Sequence, residues 1–72
     1  MQQDNYITRL QVETSDLSEK ITKLKNFIFS DKFDKISATE QRLLLIQYHA
    51  METYYECLVG RGAYIKNMNN GI

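Results

Sequence analysis

Apolar residues recur along the first part of the chain at Ile7, Leu10, Leu17, Ile21, Leu24 and Ile28, with Thr14 in the single seven-residue gap. Steps of three and four mark the a and d positions of helices that pack side by side. The positions between them are polar: Glu13, Asp16, Ser18, Glu19, Lys20, Lys23 and Lys25. Glu19 precedes Lys23 by four residues, the favourable order on a helix face. Acids lead and lysines follow, which complements the helix dipole. The pattern predicts a helix over about 4–28.

A turn follows over about 29–37, where Phe29 and Phe33 are expected to plug one end of the packed pair. Ser37-Ala38-Thr39-Glu40 reads as a capping box, because a serine followed three residues later by glutamate can satisfy orphan amides at a helix start. A second helix is predicted over about 38–59, fraying to 66, with a flexible tail at 67–72. Its expected seam is Leu44, Gln47, Met51, Tyr54, Leu58 and Arg61, widened by Leu43, Tyr48 and Tyr55. Leu45 and Ile46 fall well away from that seam at 100° per residue. A helix that is apolar on more than one side is buried on more than one side. The second side can only meet another chain. The expectation is therefore an all-α single domain, residues 1–72: an antiparallel two-helix hairpin that associates into a four-helix or larger bundle. Leu45, Ile46 and His49 are the expected oligomer interface.

Composition strengthens the case for self-association. A chain of 72 residues buries a modest core unless something staples it. It has one cysteine, Cys57, so no intrachain disulfide can form, and one histidine, His49, so no Cys/His metal cluster can form within one chain. No metal or cofactor is implied. Nine basic residues balance nine acidic ones, so no net field draws the chain to nucleic acid or an anionic membrane. The cluster Lys20, Lys23 and Lys25 is read as a solvated face. The polar start, without an apolar stretch, carries no signal peptide. The longest apolar run, Leu43–Ile46, is too short to span a bilayer. A soluble, cytoplasmic protein is expected, with itself as a partner and neither membrane nor nucleic acid among its partners.

Catalytic residue types are scarce. His49 and Cys57 lie eight residues apart on one helix, about 12 Å along its axis, too far to act as a nucleophile–base pair within a chain. No enzymatic activity is expected. The candidate chemistry lies in the polar residues of the seams. With residue 28 facing about 38, Thr14 falls near Met51 and Tyr54, Gln47 near Ile21, and Arg61 near Ile7 and Tyr6. Tyrosine faces suit a nucleobase and a guanidinium suits a phosphate, so Tyr54, Arg61, Gln47, Thr14 and Tyr6 are the candidate ligand residues. The plainer alternative gives Gln47 the setting of register, the tyrosines simple packing, and Arg61 a pairing with Asp4 or with the helix end.

The run Tyr6-x-x-Arg9-Leu10, Leu17-x-x-Lys20-Ile21-x-Lys23-Leu24-x-x-Phe27-Ile28, Phe33-x-x-Ile36-Ser37-x-x-Glu40-Gln41-x-Leu43-Leu44-x-x-Gln47-x-x-Ala50-Met51-x-x-Tyr54, then Leu58 and Arg61, resembles the small crAssphage-related helical-hairpin phage proteins over about residues 6–61. Thr14 departs from the larger residue expected there, which opens space. The resemblance implies a phage origin. By analogy with small helical phage proteins that hold cyclic nucleotide signals between subunits, it also implies immune evasion by sequestering a cyclic nucleotide-type small molecule. The alternatives are a protein–protein inhibitor or adaptor acting on a host defence or phage protein, and a structural oligomer.

Overall fold

The computed structural model describes the backbone of residues 2–70 and the side chains of residues 6–68. Three helices follow one another: α1 (Gln2–Ile28), α2 (Asp31–Asp34) and α3 (Ala38–Asn70). The long helices α1 and α3 lie side by side. Tyr6, early in α1, reaches Arg61, late in α3, so α3 runs back along α1. The result is a rod with extents of 53 × 17 × 15 Å. No described helix is long and apolar enough to cross a membrane.

The α1 seam follows the expected spacing. Leu10 and Leu17 are buried, and Ile7, Thr14, Ile21, Leu24 and Ile28 are half-buried. On α3 the register differs. The covered positions are Leu44, Tyr48, Met51, Tyr55, Leu58, Gly62 and Ile65, whereas Gln47, Tyr54 and Arg61 are exposed. The expected and observed seams share Leu44, Met51 and Leu58 and part at every second position by one residue. Both alternatives keep steps of three and four. The observed one turns Tyr48, Tyr55 and Ile65 inward and leaves the amide of Gln47 and the guanidinium of Arg61 in water, avoiding the cost of burying them. Leu58 is the pivot: it is 0% exposed, with Leu10 and Leu17 around it and Ile21, Met51, Tyr55 and Ile65 packed on their margin.

α3 also continues to Asn70, beyond the expected limit at Val59 and the expected fraying at 66. Gly60 and Gly62 both adopt helical backbone without a positive φ. Gly62 sits on the seam and Ile65 extends it, so packing against α1 holds this segment where glycine propensity alone would weaken it. Of the expected tail, Gly71 and Ile72 lie outside the described residues.

The turn is tighter than expected because it contains its own helical turn. Ser30 ends α1 by donating its hydroxyl to the Phe27 carbonyl at 2.6 Å, and its extended backbone opens α2. This occupies a carbonyl that the end of α1 leaves without a helical partner. Phe27, not Phe29, partners Phe33, edge to face with ring centroids 6.3 Å apart, and Phe29 is 79% exposed. The offset arises because Phe27 lies one residue before Ile28 on the inner side, while Phe29 turns outward. Gln41 then ties α3 to the turn by donating its amide to the Phe33 carbonyl at 2.8 Å. At the start of α3 the Glu40 amide donates to Ser37 Oγ at 3.1 Å, the first half of the expected capping box. The Glu40 carboxylate lies 3.4 Å from the Ser37 hydroxyl and accepts from it, so the reciprocal bond ends on the side chain.

This arrangement leaves much apolar surface in water. The accessible surface is 5905 Å², about 1,250 Å² more than a compact monomer of 8.5 kDa exposes. Leu43, Ile46, Tyr64 and Met68 are each more than half exposed.

Two stability changes follow. Leu58→Ala removes the one side chain that is fully covered among the described residues and should cost about 2–5 kcal/mol. That is comparable with the whole stability of a chain this small, so urea or thermal unfolding followed by circular dichroism should show a largely unfolded variant. Gly62→Ala should do the opposite. A methyl group there meets no heavy atom within 4 Å, and the residue is helical, so the substitution should stabilise by about 0.4–1 kcal/mol, seen as a higher urea midpoint.

Candidate functional site

The antiparallel packing separates the five candidate ligand residues into different surroundings. Tyr6 and Arg61 come together, as expected from the fold-back. Arg61 Nη2 donates to the Tyr6 hydroxyl at 2.7 Å, and the guanidinium lies 6.0 Å from the centre of the tyrosine ring. With Arg9, Leu10 and Glu13 they line a depression of about 240 Å³. Accepting that hydrogen bond, Tyr6 holds Arg61 above its ordinary value, so the guanidinium is charged at any physiological pH. Among the described residues no carboxylate lies within 4 Å of Arg61, the single close contact between a basic and an acidic side chain being His49–Glu52. The alternative partner Asp4 has a side chain outside the described residues.

Thr14 faces a different space. Its hydroxyl donates to the Leu10 carbonyl at 2.7 Å, so its polar atom is satisfied by its own helix. The small side chain leaves room beside it, in a groove of about 650 Å³ between α1 and α3 that Ser15, Ser18, Gly62 and Ala63 also line. The expected space at Thr14 is thus present, facing Tyr55 and Leu58 where Tyr54 and Met51 had been expected. Tyr54 lies on a separate depression with Val12, Asp16, Leu17 and Lys20. Gln47 is exposed, its amide 3.8 Å from Met51 Sδ.

Gln47, Tyr54 and Arg61 nevertheless share something the seam reading hid. They are seven residues apart, so they form one row along the exposed flank of α3. Arg9, which completes the Tyr6–Arg61 depression, was missed because it lies off the α1 seam. Its signal was its place three residues beyond Tyr6, on the same helix face.

The expected interface residues are exposed in the single chain. Leu45 and Ile46 are 39% and 54% exposed, and His49 faces Glu52, with Nδ1 3.6 Å from Oε1. Leu45, His49 and Ile46 share about 100° of the helix face within one turn, with His49 between the two aliphatic residues. Beside His49, the Tyr48 ring packs edge to face at 5.7 Å, and the Glu52 carboxylate pushes the Tyr48 hydroxyl above its ordinary value, with partial burial adding to the effect.

Comparison with known proteins places this architecture among phage proteins. Residues 4–64 match the family described as Sequestin. A relative from Enterobacteria phage T4, described as an uncharacterized 7.5 kDa protein in the denB-rIIB intergenic region, is 44% identical over 61 residues, covering 85% of this chain and 95% of its own length. No solved structure matches. The phage affinity expected from the sequence stands, but the grouping differs: the kinship is with Sequestin and a T4 protein, and nothing in it points to crAssphage. The a/d pattern that suggested the earlier grouping is shared by many helical pairs.

Proposed function

The chain belongs to the Sequestin family, and from that premise we propose that it is a non-enzymatic phage accessory protein that sequesters a small nucleotide-type signal of host immunity. The signal would be held in the host cytoplasm, where copies of the chain meet. The family's name denotes sequestration, and the T4 relative supports a phage setting.

The observation that carries this reading is Arg61. Its guanidinium sits at the surface, positioned by a phenol instead of a carboxylate. A carboxylate would neutralise it; a phenol orients it and leaves its charge and most of its donors available. Such a fork fits two oxygens of a phosphate. Tyr6 and Tyr54 add ring faces that suit a base. Arg9 lies in the same depression, giving two cations against the single carboxylate of Glu13, a balance that an anion would even out. Thr14 and Gln47 belong to this reading as residues of the wider groove and of the α3 row.

The excess surface of the single chain supports the oligomer. The surplus of about 1,250 Å² exceeds the roughly 800 Å² that each partner contributes to a standard stable interface. The exposed Leu45, with Val59 on the same flank, supports a second reading, in which the chain inhibits or adapts a host defence or phage protein. A purified chain that bound no nucleotide but captured one stoichiometric host protein would favour it.

The test is a binding panel. Cyclic dinucleotides, cyclic trinucleotides and cyclic ADP-ribose isomers would be titrated into the purified chain by calorimetry, with melting followed in parallel. At least one class should bind and raise the melting temperature, and be recovered unaltered after denaturation of the protein. Arg61→Ala should weaken that binding roughly tenfold or more, and Arg61→Lys should restore it only in part, because it keeps the charge and loses the fork. Absence of heat and of a melting shift with every class would reject sequestration of such signals. Conversion of the ligand would reject the non-enzymatic reading.

A further inference from the structure

α3 carries a second stripe, parallel to its seam. Leu43, Ile46, Ala50, Cys57, Tyr64 and Met68 are all exposed, and at 100° per residue they cluster within about 60° of one another. Their spacing is built from steps of three, four and seven, the same repeat that packs α3 on α1. From Leu43 to Met68 the stripe runs about 38 Å, most of the length of the helix. Ala50 and Gly60, with no heavy atom near a Cβ placed at Gly60, keep its middle low enough for another backbone to approach.

We propose that this stripe is the self-association surface, occupied by the same stripe of a second copy. The proposal rests on the self-association part of the reading above and specifies the surface that forms it. A repeat of three and four over this length fits a long straight helix rather than an irregular partner. The exposed face of α1 cannot supply that helix, because it carries Glu13, Asp16, Glu19, Lys20, Lys23 and Lys25. The other exposed flank of α3, at Leu45 and Val59, is interrupted by Glu52, Glu56 and Lys66. The second stripe carries no acid, and its one charged residue is Arg61, which stands at the angle of Leu43 on the edge nearer α1. The surplus area of the single chain is larger than the roughly 800 Å² that each partner gives up in a standard interface, so it can supply one such contact. A two-fold pairing of like with like is the simplest way to satisfy it.

The pairing also bears on the ligand. Gln47, Tyr54 and Arg61 flank the stripe, so a second copy seated there would wall one side of the open row. The site that a single chain leaves flat gains its second side from the partner.

Cys57 lies within the stripe and is exposed in the single chain, so it reports on the contact without any substitution. In the unaltered protein at tens of micromolar, a thiol-to-thiol bismaleimide spanning roughly 10 Å, about seven residues of helix rise, should give a covalent dimer. Light scattering on a sizing column should give at least twice the chain mass. Ile46→Glu should reduce that mass to one chain and abolish the crosslink, while Leu45→Glu on the opposite flank should change neither. Circular dichroism of each variant checks that the helices persist; if Ile46→Glu loses helicity, the crosslink in the unaltered chain decides. An oligomer that does not crosslink, or one broken by Leu45→Glu and unaffected by a folded Ile46→Glu, overturns the stripe and leaves self-association standing. A monomer at these concentrations overturns both, while the nucleotide panel separately decides ligand binding.

Discussion

Two helices lying side by side can cover only the stripe that each turns toward the other, and everything else in this molecule follows from that limit. The covered set closes on Leu58, with Leu10 and Leu17 across from it. No third helix of comparable length closes over the pair among the described residues, so the remaining apolar side chains of α3 stay in water. The chain therefore has more surface than its mass warrants. Hydrophobic burial scales with the area removed from water, so a second layer over the rest of α3 would add stability.

The sequence revealed the two long elements, the turn between them and the α1 seam because each rests on local signals: unbroken helix formers, a serine cap and an unambiguous run of aliphatic residues. The α3 seam was half legible. Between Leu44 and Leu58 two interleaved rows obey the same spacing, and both contain tyrosines. Only the fate of Gln47 and Arg61 separates them, and that is a question of desolvation. The reach of α3 past Gly60 was illegible for a related reason. Glycine propensity argues for a stop, and the packing of Ile65 on the Leu10, Leu17 and Leu58 core overrides it. Phe27 takes the place expected of Phe29 because two residues of rotation, about 200°, at a helix end decide which ring turns inward.

The candidate site was legible as a set of residue types more than as a place. Tyr6 and Arg61 could be paired from the fold-back alone, and the structure brings them together. Thr14, Tyr54 and Gln47 are distributed over the groove and the outer row, and no single chain gathers them. Under the proposed sequestration this dispersion has a meaning, since a molecule that holds another has to surround it. A rod one helix pair thick has little with which to surround anything unless a second copy contributes.

The thin core also has an evolutionary consequence. Only three described side chains are buried, and the rest of the chain consists largely of positions where a substitution is usually worth less than about half a kcal/mol. Most of the chain can therefore change at small cost to the fold, provided the seam is kept. Arg9, Gln47, Tyr54 and Arg61 are all exposed, so the surface proposed to choose a ligand lies outside the core that holds the fold. A scaffold of this kind can change what it holds without first having to change how it folds.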